Sequence, residues 1–565
     1  MKTLLFACVF VFLGLTACDD PTETEDNLYP PNGTDRDTAP VGTDDSSTTQ
    51  PIGTDDTNTT ATVGTDDSNT TATVGTVDSN TTQPVATDDS DTTAPVGTDT
   101  PPVDTDSATV DTDTTPPAPT QHANCPVYVS KSGSDDNSGA SWSEPLLTPH
   151  TAMAKAKEYV ADSDGSTYCE IWIAKGTYTP GPANSTNQTL FIPLESHVHM
   201  MGGFAGDETH PLQRNISLNE TILSPDLFGD DEGDMANGFE NREENSFRIL
   251  STPEGEAIND AIIDGFVLEG HQTSPKAQSS AIIIGNSSVR FVNCAFRSNI
   301  GRMIHVSNSN LIIENGLFAG NDYSDTTLLH ISSGSVTLTN TSFIENRGTS
   351  AAQIYSTDDA ITTIQNCRFL YNQFDEDSTL LATPGYPWSG EKFYISSSLF
   401  ANNSMRIVSA TGYTGVFHIY NSVFRDTDHI LIVMPDQPFV NNTVYSSDAK
   451  VALTADIKNS IVVADKEVIL GVGGDASVEY SFIQGGCFQS DAKECLEGTL
   501  GHDVTHTVEF TDTENGDLSV LPTSSTIDAG NASLLPDDIS LDFAGQARIS
   551  GTTIDMGAYE YPVTP

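Results

Sequence analysis

The chain has 565 residues, 36% of them hydrophobic, and a formal net charge of -56 at pH 7. That charge repels nucleic acid and anionic surfaces, so a nucleic-acid partner is not expected. The length is enough to bury a sizeable core, but acidic and apolar residues are segregated, and the chain divides into parts of different composition.

Residues 1–18, "MKTLLFACVFVFLGLTAC", hold a single Lys, then an apolar run, then small residues before Cys18. The run is too short to span a bilayer comfortably and has the order of a cleaved export signal. Its last four residues, Leu15, Thr16, Ala17 and Cys18, resemble the lipobox of bacterial lipoproteins. The resemblance implies cleavage before Cys18, a lipid on Cys18 and membrane attachment through that lipid.

Residues 19–124 are rich in Asp, Thr, Pro, Gly and Ser and contain an 11-residue repeat beginning at positions 41, 52, 63, 74 and 85, as in "VGTDDSNTTAT". An 11-residue period can mark a coiled coil, but these repeats carry Gly, Pro and paired Asp and no apolar seam, so the segment is expected to be a disordered tether. Linker scaling gives it a mean reach of at least about 55 Å. The Asp pairs lack the spacing of a calcium loop and are expected to remain solvated.

The remainder, 125–565, has the composition of a folded domain. Export places its cysteines in an oxidising setting, so Cys125 with Cys169, and Cys487 with Cys495, are expected disulfides. Cys294 and Cys367 fall inside a repeated phrase and are expected to pack as small apolar residues. No CxxC or Cys/His spacing matches a zinc site.

That phrase begins after residue 260. "FVNCAFRSN" recurs in altered form as "LIIENGLFAGN", "VTLTNTSFIEN", "TIQNCRFLYN" and "HIYNSVFRDT". With the Asn as position zero, the series reads Asp264, Asn293, Asn315, Asn340, Asn366, Ser397, Asn421, Asn441, Asn459 and Tyr480, with a mean spacing of 24 residues. An apolar residue stands two places before each, and Val, Ile or Phe three places after. Two inward positions five apart cannot share a straight strand, so the strand must bend between them, and Asn tolerates the left-handed backbone that such a bend needs. Variable repeats of this length with strand-like segments predict coils of parallel strands stacked as a solenoid, Phe over Phe and Asn over Asn.

With these residues in view, the chain resembles the right-handed parallel β-helix proteins of the pectin-lyase-like superfamily. "EIWIAKGTYTP" and "HVHMMGGFAGDET" resemble the family's opening coils, preceded by a capping helix begun by Thr148 and Pro149. "DFAGQAR" and "IDMGAYEY" resemble the terminal segment called choice-of-anchor Q in exported bacterial β-helix proteins. The expected fold class is all-β: a right-handed parallel β-helix solenoid over 125–500 with a short N-terminal capping helix, preceded by the disordered tether and followed by a cap segment over 501–565. Asp555, Tyr559 and Glu560 are expected to cap the last coil, whose unpaired strand edge needs protection.

Enzymes of the family cleave acidic polysaccharides, but the Gly-His-Gly and Arg-x-Lys of polygalacturonases are absent here. A lyase needs calcium held by carboxylates and a Lys or Arg as base, yet Arg297, Arg302, Arg347 and Arg368 are scattered among the coils. The densest acidic stretch is "SPDLFGDDEGD", where Asp226, Asp230, Asp231 and Asp234 are a candidate Ca2+ set. No other cofactor is implied. His305 and His330 each lie ten residues before their Asn, and Tyr355 eleven before Asn366, so the three are expected to stack in an outward-facing column able to meet sugar rings or bind a metal. His197 and His199 share a strand face as a metal pair would, with no third ligand evident from the sequence.

Together these features predict a lipid-anchored protein of the bacterial cell envelope, exposed outside the cytoplasm, whose solenoid binds or adheres without catalysis, with carbohydrate as the expected ligand. A polysaccharide lyase or glycoside hydrolase acting on acidic polysaccharide is the second reading, and a structural surface component the third.

Overall fold

The computed structural model describes residues 118–562 apart from 164, 274–279, 324–325, 350–351, 375–378, 384–389, 405, 411–415, 428–429, 449, 472–475, 487–493 and 502–503. Cys18, the acidic repeats and Cys487 therefore lie outside the described residues, and only the backbone of Cys495 is described.

One coil shows the plan. Ile304–Ser307, Ser309–Glu314 and Leu317–Ala319 are three short strands joined by tight corners. Each pairs in parallel with its counterparts one coil away: Ile304 with Ile282 and Leu329, Ile313 with Phe291 and Leu338, Phe318 with Phe296 and Phe343. Among the described residues the first and second strands join a sheet of 24 strands and the third strands form one of 12. A single coil cannot bury its inner face, so stability comes from stacking, and the domain is a parallel β-helix.

The corner between second and third strands is where the repeated Asn sits. Asn293, Asn315, Asn340, Asn366, Asn421, Asn441 and Asn459 all have φ between 47° and 58°, and Ser397 and Tyr480 adopt the same left-handed geometry. The first coil departs from the expected frame by one residue. There the left-handed corner is Gly265 (φ 82°), not Asp264, because Ile263 pairs with Phe291 and Leu268 with Phe296. The inward residues of that coil are accordingly Ile263 and Leu268, both buried, while Ile262 is half-buried.

Inside, the residues three after the corner form a continuous ring stack. Phe318, Phe343, Phe369, Phe400 and Phe424 are fully buried, with neighbouring centroids 4.4–4.8 Å apart. That spacing is the distance between parallel strands, about 4.8 Å. Beyond the stack, a second Asn column runs through Asn299, Asn321, Asn346, Asn372 and Asn403, each at most 1% exposed. Each side chain donates Nδ2 to the Oδ1 of the next, at 3.0, 2.9, 3.0 and 2.8 Å. The Cys294 and Cys367 thiols are free and buried, and burial pushes each up to about 12.

At the N-terminal end, helix α1 (Pro149–Val160) starts where Thr148 Oγ1 accepts from the Thr151 amide and Pro149 occupies the first turn. It buries Ala152, Met153, Ala156 and Val160 against the solenoid. Cys125 and Cys169 form a disulfide, Cα atoms 5.4 Å apart.

The C-terminal segment differs from the expected cap. It lies along the outer face of the third-strand sheet: Leu518 and Ala558 pack on Val423, and Val520 and Met556 on Ile461 and Phe482. Asp555 and Glu560 turn inward to hold the segment together, and Tyr559 packs edge-on against Phe543. The physical reason is that the outward residues of these last third strands are apolar and need a cover of their own.

Candidate functional site

The aromatic column forms, but not as a free surface. His305 pairs in register with His330, and His330 with Tyr355. The imidazoles stack at 5.2 Å and 3°, and Tyr355 tilts over His330 at 5.4 Å. Ile304 and Val306, on either side of His305, point into the core, so His305 lies on the outer side; yet it is only 1% exposed. The expectation that His305 meets a ligand is thus corrected. Its Nε2 contacts Ser332 Oγ at 3.3 Å, while the Nδ1 atoms of His305 and His330 are buried with no hydrogen-bond partner. Burial holds His330 down at about 4 and His305 well below the usual imidazole range, so both rings are neutral.

The acidic loop also rearranges the expected set. Asp226 Oδ1 accepts from the amides of Phe228, Gly229 and Asp230, and its Oδ2 from that of Asp231. Asp234 closes the hairpin between Glu232–Asp234 and Gly238–Glu240 by accepting from Ala236 and Asn237. Asp231 turns inward to Arg242 (3.5 Å) and Asn245, and burial pushes its carboxyl up to about 7. The carboxylates that converge are instead Asp226, Asp230 and Glu244, within 4.8 Å of one another. Asp231 and Asp234 leave the candidate calcium set because neither joins that cluster: Asp231 turns inward to Arg242, and Asp234 is turned to the tip of the hairpin. Glu244 was invisible in the sequence because it returns from the far side of the hairpin. Three side chains fall short of the six to eight oxygens calcium takes.

His197 and His199 do acquire a neighbour. Asp260, from the following coil, places Oδ2 3.6 Å from His197 Nδ1 and 3.3 Å from His199 Nε2.

A polar groove of about 710 Å3 runs along the corner between first and second strands, with lining residues from five successive coils. Asn286, Asn308, Asp358 and Asp359 stand at left-handed corner positions, φ 50–63°. Asn308 Nδ2 donates to Asn286 Oδ1 (3.2 Å), and Ser335 Oγ donates to Asn310 Oδ1 (2.9 Å). Asn259 stands at one end and the two Asp at the other; the lining holds no Lys or Arg. The sequence carried a signal for this groove: Asn286, Asn308, Ser333 and Asp359 each lie seven residues before the repeated Asn of their coil. A short polar residue at one constant phase marks a second corner.

No family model and no curated protein matches the chain. Among solved structures it is similar to XylC in complex with xylose, at 10% identity and a TM-score of 0.39, covering 76% of this chain and 98% of that one. It is similar to pectate lyase Pel9A at 14% identity and 0.32, covering 78% and 96%, and to PfbA, a surface adhesin of Streptococcus pneumoniae, at 11% identity and 0.31, covering 59% and 84%. These likenesses concern the parallel β-helix fold alone.

Proposed function

We propose that this protein is a cell-envelope binding protein, attached through a lipid on Cys18, whose solenoid holds a carbohydrate chain in the corner groove without cleaving it. The observation that carries the reading is the groove's repeated amide and hydroxyl lining, renewed at every coil. Coils repeat at about 4.8 Å, so donors and acceptors recur along the axis and suit an extended polymer with regularly placed hydroxyls. The strongly acidic chain, with Asp358 and Asp359 in the groove, favours a neutral glycan over a uronate polymer. Binding is favoured over lyase chemistry because none of the lining residues can serve as a Lys or Arg base.

The test mixes the full-length chain with neutral and acidic polysaccharides, with and without calcium, and scores both retained protein and released oligosaccharides by mass spectrometry. Retention on a neutral glycan with no products is expected. Replacing Asn310→Ala together with Ser335→Ala is expected to weaken retention about tenfold, the value of one or two hydrogen bonds. Unsaturated products would make the protein a lyase, and no retention on any polymer would leave a structural surface component.

A further inference from the structure

We infer that His197, His199 and Asp260 form a binding site for a divalent transition-metal ion of the zinc class at the head of the groove. The inference is independent of the carbohydrate reading, since it concerns different residues and a different ligand.

The site is built by the stacking of coils. His197 and Asp260 occupy equivalent corners of successive coils, because His199 pairs in register with Ile262, and both are left-handed, with φ of 56° and 53°. Two bends that would otherwise only turn the chain thus bring an imidazole and a carboxylate side by side. His199, two residues further on and inside the strand Val198–Phe204, completes the set through its contact with Asp260. Its ring is held flat against Tyr168, centroids 4.8 Å apart at 17°, which limits its rotation. Side-chain exposures of 22% for His197, 15% for His199 and 46% for Asp260 leave the donors open to an ion.

His199 Nε2 and Asp260 Oδ2, 3.3 Å apart, make one long hydrogen bond, and His197 Nδ1, 3.6 Å from the same oxygen, lies beyond hydrogen-bond reach of it. A normal N–H···O contact is about 2.9 Å. Two ligands at about 2.0–2.1 Å from one tetrahedral ion are about 3.4 Å apart. The separations of 3.6 and 3.3 Å from Asp260 Oδ2 lie on either side of that second value. The three donors do not all fall within 4.8 Å of one another, so an ion closes the set by turning the His197 ring. Gly165 leaves room for this: a Cβ at that position would sit 3.4 Å from His197 Cε1 and 3.5 Å from Nε2.

Two imidazoles and one carboxylate suit Zn2+, Ni2+ or Cu2+ and are a poor match for calcium or magnesium, which require oxygen ligands. Three protein ligands leave a fourth position for water or a ligand oxygen. Asn259, adjacent to Asp260 in the chain, lines the start of the groove.

The test titrates Co2+ alone into the metal-free full-length chain and records its visible spectrum. Four-coordinate Co2+ with imidazole ligands gives strong visible bands, whereas Co2+ held by the tether's aspartates in six-coordinate oxygen sites gives weak ones, so the tether does not mask the result. Strong bands saturating at one ion per chain and displaced by Zn2+ are expected. His199→Gln and His197→Asn should abolish them, and Asp260→Asn should weaken binding by about tenfold or more. Asn tolerates the left-handed backbone at 197 and 260, so these variants keep the fold, which an unchanged thermal midpoint in metal-free buffer checks. Absence of strong bands in the parent chain, or their persistence in the histidine variants, overturns the site.

Discussion

Asn340 and Asn346 are six residues apart in one coil and are held by different physics. Asn340 is exposed and has φ 55°; its value is that its backbone enters the left-handed region at modest cost while its Nδ2 reaches Asn315 Oδ1 at 3.2 Å. Asn346 is fully buried, and its amide is saturated: Nδ2 donates to Asn372 Oδ1 and to the Phe318 carbonyl, and Oδ1 accepts from the Asn321 side chain and backbone. A buried amide column of this kind is stabilising only while every member has its partners. Asn346→Ala leaves partners above and below unsatisfied in a dry interior. It is expected to destabilise the chain by about 3 kcal/mol or more, read as a shift of the denaturant midpoint with unchanged slope. The sequence phrase contained both Asn residues, but the identical letters carried no sign of which one is buried.

Among elements, the first strands show the limit of pattern reading. Alternation along Ile304–Ser307 correctly places His305 on the outer side, and register stacks it on His330 and sets Tyr355 over His330. What alternation does not encode is whether the outer side is covered, and here His305 is. The consequence is a pH dependence. A histidine is ordinarily near 6.5 unfolded and burial holds His330 at about 4, so its folded form resists protonation. Its contribution to stability is present above the unfolded value of about 6.5 and is lost as pH falls below it. Between about pH 6.5 and 5 the parent chain is expected to lose about 2 kcal/mol more than a His330→Tyr variant, which keeps a ring in the column. Denaturant unfolding at the two pH values compares them; equal losses would mean that His330 is solvated in the folded state.

At the scale of the described domain, the last coils and the C-terminal segment form one structure. The segment is organised around Arg548, whose Nη1 donates to Glu560 Oε2 at 2.7 Å, each side chain 1% exposed. Arg548 also donates to the Asp555 and Gly557 carbonyls, and Glu560 accepts from the amides of Ser550 and Asp555. Removing one member of a buried pair strands the other charge. Arg548→Met is expected to cost about 3–5 kcal/mol, while the double change Arg548→Met with Glu560→Gln should recover part of it. Limited proteolysis is the check: cleavage within 501–562 should precede cleavage of the coils in the single variant.

The sequence by itself determined the coil period, the left-handed corners, the inward Phe stack and the inert cysteines, because each repeats at a constant phase and follows from backbone geometry that every coil must satisfy. It also carried the composition change that separates the acidic repeats from the folded part. Only the tertiary structure decided which outward residues are covered, which carboxylates converge and where the terminal segment lies. Asp260 reaches His197 and His199 across 61 residues or more of chain, Glu244 reaches Asp226 across a hairpin, and Ala558 packs on Val423 from more than a hundred residues away. Such contacts depend on coil lengths that vary from 18 to 31 residues, and a small change in one loop alters what lies over a strand without altering the strand's own pattern.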